Sequence, residues 1–98
     1  MQLTTDQRCS GHIASLCLML QSDIDLAFSY LRLAEAETRG GNAAHATELM
    51  AKAVTTHRTV LREFANIPDL YESKRELARE ARRLLESIQS VERLFRIL

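Results

Sequence analysis

Cys9 and His12 are the side chains best suited to hold a metal, because they are three residues apart and share one face of a helix. A zinc site needs three or four protein ligands of this kind. The other histidines, His45 and His57, lie far along the chain. We therefore expect no metal and no cofactor. A metal- or ligand-binding bundle built on Cys9, His12 and His57 is kept as an alternative.

Acidic side chains occur in close pairs, Asp23 with Asp25 and Glu35 with Glu37. Residues two apart on a helix point in different directions, so these carboxylates do not form an acid–base pair. The chain also contains no glycine-rich phosphate loop, nucleophile elbow or zinc-protease motif. The sequence therefore predicts that this protein is not an enzyme.

The second half of the chain carries an apolar repeat with alternating steps of four and three residues. Its members before the single proline are Met50, Ala53, His57, Val60, Phe64 and Ile67, and those after it are Leu70, Lys74, Leu77, Ala81, Leu84, Ile88, Val91, Phe95 and Leu98. Such a repeat gives each helix one apolar side that interlocks with its neighbours. At the centre of this side, His57 is either a buried pH sensor or, as this position favours, a core histidine with one hydrogen-bond partner.

Glycine, proline and capping residues divide the chain into three helices. Gly40 and Gly41 are a typical helix stop, and Asn42 is a natural N-cap for the next helix. Pro68 forces a second break, after which Asp69 with Glu72 has the spacing of a capping box. The connections are short, which predicts an all-α, three-helix, up-down-up antiparallel bundle. We expect its helices at about residues 5–39, 42–66 and 69–97.

The length of the chain predicts one domain, residues 1–98. Its charge predicts no strong electric field around the protein. Its 98 residues include thirteen basic and thirteen acidic side chains, which cancel. This balance argues against nucleic acid as a partner.

The longest apolar stretch, Ile13 to Leu20, is far shorter than the ~20 residues that span a membrane. Two cysteines do not make a disulfide framework, so we expect reduced thiols and a cytoplasmic protein.

The first helix has two apolar stripes along its length. The first stripe carries Ile13, Leu16, Cys17, Leu20, Ile24, Ala27, Leu31 and Ala34, and the second carries Met19, Leu26, Tyr30 and Leu33. A helix that touches two neighbours needs a wide apolar face, so both stripes could be core. Alternatively, the second stripe stays exposed and meets a partner.

Charge is segregated along the third helix. Arg75, Arg82, Arg93 and Arg96 lie on one side of its apolar arc, and Glu72, Glu76 and Glu80 lie on the other. Residues in these flanking positions select partner and orientation in helical assemblies. A solvated helix with local ion pairs is the alternative explanation.

The middle of the chain resembles a known helical hairpin. Gly41-Asn42, Ala46, Glu48 and Lys52-Ala53 have the look of the second half of a tetratricopeptide hairpin, whose first helix is matched by Leu31, Leu33, Ala34 and Ala36. With a long third helix ending in Ile88 and Val91-Glu92-Arg93-Leu94, the region from Leu31 to Leu94 is similar to a microtubule-interacting-and-trafficking (MIT) domain. The resemblance implies that a short helical or extended peptide binds between helices.

Together these patterns favour a small protein-interaction or adaptor module that forms a homodimer or higher oligomer. We predict that a protein or peptide partner contacts Met19, Leu26, Tyr30, Leu33, Arg75, Arg82, Arg93 and Arg96. Two alternatives stay open: the metal- or ligand-binding bundle described above, and a chaperone for a secreted or flagellar helical segment.

Overall fold

A computed structural model describes the backbone of residues 5–97 and the side chains of residues 11–97. Within this range the chain forms three α-helices and no strand: α1 (Thr5–Arg39), α2 (Ala43–Phe64) and α3 (Glu72–Ile97). The predicted all-α three-helix bundle is confirmed. The bundle is a rod 59 Å long and 21 by 15 Å across.

The turn between α1 and α2 follows the glycine and asparagine signals. Gly41 adopts a φ of 85°, a left-handed conformation that a side chain would strain. The Gly40 amide donates to the Ala36 carbonyl at 2.9 Å and so satisfies one of the last carbonyls of α1. The Asn42 side chain accepts a hydrogen bond from the His45 amide at 3.5 Å, which makes it the N-cap of α2.

The connection between α2 and α3 is longer than the sequence predicts. It runs from residue 65 to residue 71, so α3 begins three residues later than expected. The Asp69 carboxylate does not cap α3, because it accepts a hydrogen bond from Lys74 Nζ at 2.7 Å. The Tyr71 amide instead closes a turn by donating to the Pro68 carbonyl at 3.0 Å. Leu70, predicted to continue the apolar repeat, lies in this turn and is fully exposed.

The core consists of two clusters, one toward each end of the rod. The first contains Cys17, Leu20, Ile24, Val60, Ile67, Leu77 and Ala81; the second contains Ala27, Leu31, Ala34, Leu49, Met50, Ala53, Leu84, Ile88 and Val91. Residue numbers rise from the first cluster to the second in α1 and α3 and fall in α2, so the helices run up, down and up. Phe28 packs against both clusters and joins them.

Candidate interaction surfaces

Among the side chains that the structure describes, the outer face of α1 carries four large apolar ones that the bundle leaves uncovered, and Leu18 is the most exposed of them at 71%. Met19, Leu26 and Leu33 recur every seven residues and are each about half exposed. On a helical projection they lie opposite the buried first stripe of α1. Tyr30, the fourth residue predicted in this stripe, is half-buried against the core, with Lys52 Nζ 5.7 Å from its ring centroid. Three of the four apolar contact residues are therefore available to a partner.

Small exposed residues alternate with these three side chains. In chain order the face reads Ser15, Met19, Ser22, Leu26, Ser29, Leu33 and Ala36, and all seven residues are exposed. The steps alternate between four and three residues, which is the repeat of a helix-packing seam. We call this set the α1 outer seam. Sequence reasoning missed its regularity because serine scores as polar in an apolar pattern. The signal that could have revealed it is the strict alternation of large and small side chains.

Opposite charges flank the α1 outer seam. Asp25 and Arg32 lie one heptad apart along the same edge and are both exposed. Asp25 Oδ1 accepts a hydrogen bond from Gln21 Nε2 at 3.1 Å. Arg32 makes no ion pair with any side chain between residues 11 and 97, so its guanidinium is free to meet a carboxylate of another molecule.

The arginines predicted to share the contact surface lie elsewhere. All four, Arg75, Arg82, Arg93 and Arg96, are exposed on α3. Arg82 lines a groove between α2 and α3, which in a three-helix bundle is the side opposite α1. The structure therefore separates the arginine row from the α1 outer seam, and the two cannot form one continuous patch.

The groove between α2 and α3 is the second apolar surface. It encloses about 220 Å³ and is lined by His57, Leu61, Phe64, Ala78, Ala81, Arg82 and Leu85. Leu61 and Leu85 stand on opposite walls and are both about half exposed. The α2–α3 contact is the least extensive of the three helix pairs, which leaves this groove open. An apolar floor beside an exposed arginine suits a helix with acidic flanks.

His57 is buried in the bundle. Its side chain is 8% exposed, which confirms its place in the core. Burial lowers the pKa of the imidazole, and a hydrogen bond with the backbone of Ala81 partly opposes that shift. Burial also raises the pKa of the free Cys17 thiol, which makes it a poor nucleophile.

The proposed zinc half-site gains no further ligands. His12 is exposed, and the Cys9 side chain lies outside the described residues. Among the side chains that the structure describes, no group of three or more His, Cys, Asp or Glu residues is placed to hold a metal ion. No specific observation therefore favours the metal-binding alternative over an interaction surface.

The fold and its surfaces define a small three-helix bundle with two uncovered apolar faces. No protein-family model matches the chain, and neither the curated proteins nor the solved structures include a significant match. None of the helices described has the length and apolar character needed to cross a membrane.

Proposed function

We propose that this protein is a small, non-catalytic interaction module that associates with itself through the α1 outer seam. The observation that carries the proposal is the row of Met19, Leu26 and Leu33 on the face of α1 that points away from the core. Single exposed leucines are common on protein surfaces, but a regular row that extends over two heptads is a typical helix-pairing face.

The size of the seam predicts a weak association. From Ser15 to Ala36 the seam is about 32 Å long, and a helix presents a face of roughly 10 Å in width. Two such faces bury on the order of 600 Å² in total, below the ~1,200 Å² of a standard stable interface. We therefore expect a dimer with a micromolar dissociation constant, populated at high protein concentration or when the chains are held close together.

Sedimentation velocity across the micromolar range tests this proposal. Wild-type protein should shift from monomer to dimer as concentration rises. Leu26→Asp should remain a monomer, because it places a charge at the centre of the seam. Leu61→Asp is the matched control, since Leu61 is 51% exposed on the opposite side and Leu26 is 48% exposed. A strictly monomeric wild type, or equal effects of both variants, would exclude the α1 outer seam as the interface.

We also propose that the protein acts in the cytoplasm. The support is the free, buried Cys17, since a reducing compartment keeps such thiols unpaired. Localisation of a fluorescent fusion in the native cells tests this directly. A fusion that accumulates outside the cytoplasm would contradict it.

The α2–α3 groove supports a second candidate function, the binding of an acidic amphipathic helix from another protein. This corresponds to the chaperone alternative and rests on Leu61, Leu85 and Arg82 around one groove. The probe is a synthetic helical peptide with leucines at positions i, i+3 and i+7 and glutamates beside them. Its control is the same peptide with lysine in place of each glutamate.

The groove hypothesis predicts that only the acidic peptide binds, and that Arg82→Glu and Leu61→Asp each abolish binding. Leu26→Asp should leave it unchanged, because Leu26 lies on the opposite side of the bundle. Equal binding of both peptides, or binding that survives Arg82→Glu, would exclude the charge-matched groove.

A further inference from the structure

We infer that the second copy of the chain packs against the α1 outer seam in the antiparallel direction, with Leu26 of one copy facing Ser29 of the other. This inference rests on the proposed self-association and specifies its geometry. The partner is identical, so any residue opposition in one half of the dimer is repeated in the other by two-fold symmetry.

The alternation of large and small residues selects the antiparallel direction. The α1 outer seam has two alternating positions, one that holds the large residues and one that holds the small residues. In an antiparallel pair, each layer of facing residues combines one position of each kind. Every large side chain then faces a small one. The layers, each occurring twice, are Met19 with Ala36, Ser22 with Leu33, and Leu26 with Ser29.

A parallel pair would not match large residues with small ones. It would put Leu26 against Leu26 and Ser29 against Ser29, so that overfilled layers would alternate with empty ones. Protein interfaces are packed about as densely as crystals, so empty layers lose contact energy and overfilled layers force the helices apart. The antiparallel pair fills every layer evenly and allows an interaxial distance near the lower end of the usual ~8–10 Å.

The charges beside the seam select the register. In the register proposed here, Asp25 of each copy lies beside Arg32 of the other, which gives two equivalent ion pairs across the interface. A slip of one heptad in one direction puts Asp25 beside Asp25, and a slip in the other direction puts Arg32 beside Arg32. Both slips replace attraction with repulsion between like charges. Arg32 is exposed and makes no ion pair with the side chains of residues 11–97, so it is available for this contact.

Charge reversal tests the register. Asp25→Arg and Arg32→Asp should each weaken dimerisation on the order of ten-fold, because each variant turns two attractive pairs into two repulsive ones. The double variant Asp25→Arg/Arg32→Asp should restore the wild-type dissociation constant, since the pairs are re-formed with exchanged signs. Additive weakening in the double variant would overturn the register.

Disulfide cross-linking tests the direction independently. In a background with Cys9→Ser and Cys17→Ala, the variants Ser22→Cys and Leu33→Cys are oxidised separately and as an equimolar mixture. In the antiparallel register residue 22 faces residue 33 of the other copy, whereas the two copies of either residue are about 16 Å apart. That separation is too large for a disulfide. Only the mixture should therefore yield a covalent dimer.

The outcomes separate the two proposals. Cross-linking of either variant with itself, without a covalent dimer that joins the two different variants in the mixture, indicates a parallel pair and overturns the inference while self-association stands. If the protein is a dimer in sedimentation but none of the three samples forms a cross-link, the antiparallel geometry is overturned and self-association stands. A wild type that stays monomeric overturns both proposals. Circular dichroism of each variant shows that its helical content is retained.

Discussion

At the scale of single residues, His57 shows how a polar group fits into an apolar seam. The imidazole is buried between α2 and α3, and a hydrogen bond with the backbone of Ala81 serves one of its two ring nitrogens. Because burial disfavours the charged ring, the folded protein keeps His57 neutral where an unfolded chain would protonate it. The residue therefore links the stability of the bundle to pH.

The melting temperature of the wild type should fall as the pH drops from about 8 to about 5. The pKa of His57 is lowered from 6.5, so below pH 6.5 the unfolded state binds more protons and gains stability relative to the folded state. His57→Gln keeps a hydrogen-bonding group but cannot titrate. The melting temperature of this variant should therefore depend less on pH than that of the wild type. Thermal melts by circular dichroism at several pH values measure it. Parallel slopes for the two proteins would contradict the assignment.

Lys74 is the residue whose role the sequence did not reveal. It occupies an apolar position in the repeat, yet its Nζ donates to the Ile67 carbonyl at 2.6 Å and to Asp69 at 2.7 Å. The same ammonium lies 4.9 Å from the ring centroid of Phe64. The hydrogen bond from Lys74 lowers the pKa of the Asp69 carboxylate. The stem of the lysine covers the core while its head ties the α2–α3 connection to α3.

At the scale of helices and turns, the two connections differ in how much their sequences determine. The α1–α2 turn uses backbone chemistry that is local to Gly40, Gly41 and Asn42, and it forms where the sequence predicts. The α2–α3 connection depends on Lys74, which draws Asp69 away from the helix start. A capping signal is therefore reliable only when no other group competes for the capping side chain.

The two adjacent glycines should respond in opposite ways to alanine. Gly41→Ala should destabilise the bundle by about 1 kcal/mol, because Gly41 has a left-handed backbone. Gly40→Ala should be neutral or slightly stabilising, since its added Cβ would meet the Ala36 carbonyl oxygen at an ordinary 3.4 Å. Urea unfolding of both variants measures the difference. Equal destabilisation by the two substitutions would show that the left-handed conformation is not what limits this turn.

At the scale of the whole molecule, the bundle presents two surfaces on opposite sides. The α1 outer seam offers a regular apolar row, and the α2–α3 groove offers a smaller apolar floor beside Arg82. Their separation means that one molecule has room to bind a copy of itself and a different helix at the same time. A single mutation can therefore test one surface without disturbing the other.

Self-association predicts that thermal stability depends on protein concentration. A partner that binds only the folded chain raises the melting temperature by mass action, so the wild type should melt at a higher temperature as concentration increases. Leu26→Asp should melt at the same temperature at every concentration, close to the wild type at high dilution. Differential scanning fluorimetry over a dilution series measures this. A wild-type melting temperature that is independent of concentration would contradict the dimer.

The sequence by itself determined the helical class, the α1–α2 turn and most of the residues that form the core, with Leu70 as an exception. Each depends on local backbone chemistry or on the periodicity of one helix, as at Gly41, Asn42 and His57. The tertiary structure decided which stripe of α1 is covered, because periodicity relates faces on one helix but does not say which face its neighbours occupy. It also decided that Arg82 and Leu26 lie on opposite sides of the bundle, since that relation exists only once three helices are packed together.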